Sequence, residues 1–203
     1  MAKRTHESAG STFTWLVEEM CDILRGRLID DHRRLECLFV ELERQCKAKE
    51  ECRPIDLPIL QSIAHYLGDG ALLFHHALED AIYAKLLHNH PRFREIYDLA
   101  EDHRQSWREF ERFLAAVAGA GEGLAEATRS FIGNERGHFI SEEEIFLPYA
   151  AKFLTREDWQ SLERSVPAAE LLAADVNDPM VARLFQEGRL SGSLRAHDHA
   201  HKL

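Results

Sequence analysis

Phe74-His75-His76-Ala77-Leu78-Glu79-Asp80 is the stretch around which the rest of the chain can be ordered. It places His75 four residues before Glu79, so on a helix the two side chains leave one face about one turn apart. The same spacing returns in His138-Phe139-Ile140-Ser141-Glu142. A single His-x-x-x-Glu is most often a modest polar pair on a helix surface. Two copies, each set in an apolar stripe, call for another explanation.

Around the first copy, Leu60, Ile63, Leu67, Ala71, His75, Leu78, Ile82 and Leu86 form one face, which predicts a helix over 57–87. Asp56 is its N-cap, Pro58 lies in its first turn, and Gly68 and Gly70 are places for a bend. His90-Pro91 stops it. Before it, Leu28, His32, Leu35, Phe39 and Leu42 define a helix over 26–49, with helical patterning from Thr12 onward and a small, polar stretch, 1–11, expected to be disordered. After it, Ile96, Leu99, His103, Phe110 and Leu114 mark a helix over 92–118, closed by Gly119, Gly121 and Gly123. Phe131, His138, Glu142, Ile145 and Tyr149 mark another over 124–151. Thr155 and Asp158 open a fifth, shorter helix expected to reach about residue 173. Residues 174–203 lack sustained periodicity and read as an irregular tail, with His197, His199 and His201 near its end. The predicted fold class is all-α: an up-down-up-down four-helix bundle over 12–173, with an additional short carboxy-terminal helix and a tail.

In such a bundle the stripe histidines fall at one height. His32 lies about 16 residues before the end of its helix and His75 about 19 after the start of the next, at 1.5 Å per residue. His103 and His138 match in the same way across the following turns. His32, His75, His103 and His138 therefore converge on one layer, with Glu79 and Glu142 one turn away. Two carboxylates buried among imidazoles without a countercharge cost several kcal/mol each. A metal ion removes that cost.

Imidazole and carboxylate without thiolate suit iron or manganese better than zinc, and bundle cores are where dinuclear carboxylate sites are built. Four histidines and two bridging glutamates leave two six-coordinate ions short of donors. A bridging oxo or hydroxo group, water or a small molecule would fill the gap. Glu143 would replace Glu142 after a one-residue shift of the helix. Glu135, three residues before His138, reads as an outer acceptor or a surface charge, and His76 and Asp80 as flanking polar groups.

The bulk properties narrow the surroundings. The 203 residues carry a net charge of -10, which argues against nucleic acid as a partner. No apolar run approaches twenty residues and the first ten are polar, so a cytoplasmic protein without a membrane partner is expected. Cys21, Cys37, Cys46 and Cys52 show no Cys-x-x-Cys spacing and read as free thiols of a reducing compartment. A homodimer is permitted but not required.

His32, His75-x-x-x-Glu79, His103 and His138-x-x-x-Glu142, with Phe146-Leu147-Pro148 after the second motif, resemble the hemerythrin-like (HHE cation-binding) family over about 26–159. The resemblance implies a four-helix bundle around a non-haem centre of two irons that meets dioxygen, nitric oxide or peroxide. Trp107 stands where the oxygen carriers have a further histidine, and Glu142 is at i+4 from His138 where they have Asp at i+5. The four-His, two-Glu set is instead similar to bacterial iron-sulfur-cluster repair proteins, whose cysteine-bearing amino-terminal domain has no counterpart in this sequence. A sensor, scavenger or iron donor is the leading expectation. A peroxidase or catalase-like oxidoreductase and a structural or regulatory metal-binding module are the alternatives.

Overall fold

The computed structural model describes residues 9–119, 123–165 and 178–191, with side chains from residue 23 to residue 187 within those ranges. The expected disorder of 1–8, the continuation of the fifth helix past 165 and the His197–His201 stretch lie outside the described residues. Within them every regular element is helical, and no helix is long and apolar enough to cross a membrane.

Helix α1 is a single run, Ala9–Glu50, so it begins inside the stretch expected to be disordered. It ends at Cys52, whose φ of 53° is left-handed, with Arg53 N–H donating to the Ala48 carbonyl at 2.8 Å. That is the hydrogen bond of a helix end usually closed by glycine. Asp56 accepts from Ile59 N–H at 3.2 Å and caps α2, Leu57–Tyr66. The predicted second helix then bends through one wide turn, Leu67–Ala71, before continuing as α3, Leu72–Asn89. The backbone leaves helical values at Gly70, where a Cβ would stand 2.9 Å from the Phe74 ring, so the bend brings that ring too close for any side chain.

Past Pro91 the chain makes one tight turn, Pro91–Glu95, and α4 starts only at Leu99, running to Gly119. Phe93 and Tyr97 take the inward places in this segment, which leaves Ile96 exposed, contrary to the predicted stripe. Farther along α4, Phe113 and Val117 are buried and Leu114 sits at the rim. Helix α5 is Leu124–Ser141. A second wide turn, Glu142–Phe146, leads into α6, Leu147–Phe153. A wide turn inserts one extra residue, so everything after it rotates by one position. Phe146 and Ala150 are buried where Ile145 and Tyr149 were expected, and Ile145 faces outward.

Helix α7, Arg156–Ser165, opens on the predicted cap: Asp158 N–H donates to Thr155 Oγ1 at 3.2 Å, and Thr155 N–H to Asp158 Oδ2 at 3.0 Å. The segment read as an irregular tail contains one more helix, α8, Pro179–Ser191. Its apolar residues Met180, Val181, Leu184 and Phe185 span too few turns to give a sustained period. They pack on α1 and α2, with Val181 fully buried and Phe185 5.6 Å from Tyr66.

The core is two apolar clusters with a polar layer between them. Leu35, Phe39, Leu72, Phe110 and Phe131 belong to one cluster; Leu28, Leu78, Leu99, Phe146 and Trp159 belong to the other. Each of α1, α3, α4 and the α5–α6 run crosses from one cluster to the other, at a histidine in the first three and just past His138 in the last.

Candidate metal centre

The structure brings all six predicted residues into that layer. His32, His75, Glu79, His103, His138 and Glu142 are buried, and each imidazole turns Nε2 inward. Glu79 places Oε1 3.0 Å from His75 Nε2 and Oε2 3.1 Å from His103 Nε2. Glu142 places Oε2 3.2 Å from His32 Nε2 and Oε1 3.1 Å from His138 Nε2. Each carboxylate therefore spans the same two halves, His32 with His75 and His103 with His138. The helical periods explain this: His75/Glu79 and His138/Glu142 are i,i+4 pairs on helices facing each other across the layer.

Of these contacts only His103 Nε2–Glu79 Oε2 has the geometry of a hydrogen bond. Glu79 Oε1, both oxygens of Glu142 and His138 Nε2 have no hydrogen-bond partner although donors and acceptors lie within 3.2 Å. His32 Nε2 and His75 Nε2 approach to 3.1 Å, two nitrogens of which only one can carry the proton between them. Donor atoms this close and mostly without hydrogen-bond partners are a set that one ion between them would satisfy. Two donors about 2.1 Å from one ion and at right angles are about 3.0 Å apart, which is the spacing found. The residues fit a metal.

Two sets of donor atoms lie within 4.8 Å of one another: His32, His75, Glu79 and Glu142, and His76, Glu79, His103 and His138. Over residues 23–150, well over half of its length, the chain matches the family described as the hemerythrin HHE cation binding domain. The chain belongs to that family. Comparison with curated proteins and with solved structures returns no match.

A hemerythrin-type domain implies a metal cofactor, and His76 could serve it as a donor that the single-stripe reading missed. It is buried, stacks on His103 with ring centroids 4.1 Å apart, and has no partner at either nitrogen. Trp107 packs edge-on against it at 6.0 Å. Helix α3 buries a second stripe, Leu72, His76, Glu79 and Tyr83, beside the first, and that 4-3-4 spacing was the available signal.

Outward, the imidazoles meet a second tier of carboxylates. His32 Nδ1 donates to Glu143 Oε1 at 2.7 Å, and His103 Nδ1 lies 3.1 Å from Asp80 Oδ1. His75 Nδ1 approaches Asp31 at 3.8 Å and His138 Nδ1 approaches Asp102 at 3.8 Å. Glu143 thus backs His32 and leaves the inward place to Glu142, while Asp80 does more than flank. Such carboxylate–imidazole pairs fix which nitrogen stays free for a metal and make it more basic. Glu135 is neither surface charge nor inward donor: it is fully buried and accepts from Ser106 Oγ at 2.6 Å.

Charges in the layer follow. Burial alone would lower every imidazole, but the carboxylates outweigh it at His32, His75 and His138, which are raised, and at His103, which Asp80 and Glu79 raise to about 9. His76 has no such support, and burial pushes it down to about 2, leaving a neutral ring with a free lone pair. Burial and the charge of Glu79 push Glu142 up to about 7. Glu79 is held well down, because His75 and its neighbours overcome burial. Without a metal, protons hold this layer together; cations would replace them.

Proposed function

We propose that the chain is a non-haem di-iron protein that binds or reacts with a small molecule, dioxygen, nitric oxide or peroxide, as a sensor, scavenger or iron donor. The observation that carries this reading is the division of both carboxylates: Glu79 and Glu142 each give one oxygen to the His32–His75 half and the other to the His103–His138 half. A mononuclear site has no use for two such bridges. Oxygen and nitrogen donors without thiolate favour iron or manganese, and the family favours iron.

His32, His75, Glu79 and Glu142 would hold one ion, and His76, His103, His138 and the same glutamates the other. The imidazoles divide as two and three, so the His32–His75 half is the one short of donors and is where a small ligand would be taken. Iron there supplies electrons and a position for that ligand. The protein's residues orient the imidazoles through Glu143, Asp31, Asp80 and Asp102, and the apolar clusters on either side keep bulk water out.

A turnover enzyme acting on peroxide is the second reading, favoured by Glu135. Burial raises its carboxyl, and one of its oxygens is without a partner close to the layer, which is the state required of a proton donor. Anaerobic, reduced, iron-loaded protein titrated with dioxygen, nitric oxide and peroxide separates the readings. A stoichiometric new charge-transfer band supports ligand binding, and repeated consumption of peroxide supports the enzyme. No spectral change with any of the three refutes both.

A further inference from the structure

We propose that Tyr97 is a one-electron donor to the metal centre and passes its phenolic proton to Asp102 as it is oxidised. The inference rests on the di-iron reading and adds to it a redox role for a residue that is not a ligand.

Tyr97 lies in the short segment between the Pro91–Glu95 turn and α4, and its inward placement is the departure from periodicity that leaves Ile96 exposed. Its phenol oxygen is 3.4 Å from His138 Nδ1, while Nε2 of the same ring faces Glu142 inside the centre. With Nε2 turned to a metal, Nδ1 carries the proton and donates to the phenol oxygen. One hydrogen bond and one imidazole thus separate the phenol from the ion.

The proton has its own route. Asp102 lies 3.8 Å from His138 Nδ1, the same nitrogen that the Tyr97 hydroxyl meets. Its side chain is 38% exposed, so a proton received there continues to water. The carboxylate that accepts the proton stands at the imidazole nitrogen the phenol already meets, so electron and proton can leave together.

The ring itself is shielded. Tyr97 is buried, packs against Phe93 and Phe146 at centroid distances of 6.4 and 6.1 Å, and has its carbonyl held by the Tyr83 hydroxyl at 2.8 Å. A neutral radical there would be protected from solvent. A residue needed only to orient His138 would be redundant, since Asp102 already stands at the same nitrogen.

The electron balance closes with hydrogen peroxide as oxidant. Its O–O bond takes up two electrons and two protons to give two waters; with one iron ferrous and the other already ferric, the centre would supply one electron and Tyr97, through the centre, the other. The Tyr97 O–H bond breaks, its proton goes to Asp102 and on to solvent, and the second proton is drawn from water. Tyr97 is left as a neutral radical.

The test is electron paramagnetic resonance on the full chain, iron-loaded and half-reduced to one ferrous and one ferric iron, mixed with hydrogen peroxide and frozen, with iron per chain measured on the same samples. A tyrosyl signal that changes hyperfine pattern with ring-deuterated tyrosine is expected in the parent. Tyr97→Phe should lose it at unchanged iron content, Tyr83→Phe and Tyr149→Phe should retain it, and Asp102→Asn should slow its appearance. A two-iron parent without a tyrosyl signal overturns the proposal, as does a full signal in Tyr97→Phe. Loss of iron in Tyr97→Phe would make the residue a positioning one and overturns it equally. Failure of the di-iron reading shows separately, in the iron count of the parent.

Discussion

Replacing His76 by leucine should move the metal-free and metal-loaded proteins in opposite directions. The ring is 3% exposed, neither nitrogen has a partner, and its faces are committed to His103 and Trp107. An unsatisfied buried polar group costs about 1–3 kcal/mol. A leucine of similar size removes that cost, so the metal-free variant should be more stable by about that amount, at roughly 2–4 °C in Tm per kcal/mol for a chain of this size. In the loaded protein the variant lacks a donor to the three-imidazole half. Loss of even an indirect ligand partner weakens a metal about 10–100-fold, which is about 1.4–2.7 kcal/mol of metal-linked stability. The rise in Tm on adding ferrous iron should therefore shrink while the baseline rises. Anaerobic scanning calorimetry with and without iron reads both quantities on one sample. A variant whose metal-free form is destabilised and whose iron-induced shift is unchanged would refute the assignment of His76 as a donor.

The shared carboxylate gives a second expectation: Glu79→Gln, which disturbs both halves, should lower bound iron more than His32→Ala, which disturbs one, as counted by elemental analysis. For pH, His103 rises from 6.5 to about 9 in the folded metal-free protein, so its contribution is complete below about pH 6.5 and lost as pH rises through 9, at no more than about 1.4 kcal/mol per pH unit. Metal must displace that proton, so iron affinity should rise over the same interval in which metal-free stability falls; chelator competition and thermal melts at stepped pH read the two trends. At the end of α1, Cys52→Gly should stabilise the protein by about 1 kcal/mol, because glycine adopts a left-handed φ without the clash a Cβ brings; an unchanged or lower Tm would contradict this.

The six inward residues were legible because helix rise is constant: counting from each turn put His32, His75, His103 and His138 at one height, and the distances agree. The i,i+4 motifs likewise fixed which carboxylates accompany them. What the sequence hid was everything set by contacts between helices. Asp31 precedes His32 but backs His75, and Asp102 precedes His103 but backs His138. No local pattern links such pairs. His76 was lost to the assumption of a single buried stripe on a helix that buries two. The wide turn at Glu142–Phe146 gave no warning, since Ile145 and Phe146 are both apolar and either could have faced inward. Helix α8 escaped because its apolar face is only two turns long and needs α1 and α2 to cover it.

The central claim is a pair of ions held between two shared glutamates, and the iron content of anaerobically reconstituted, desalted protein tests it most directly. The expected result is about two irons per chain, falling in His75→Ala. One zinc per chain in preference to iron, or no retained metal at all, would contradict it.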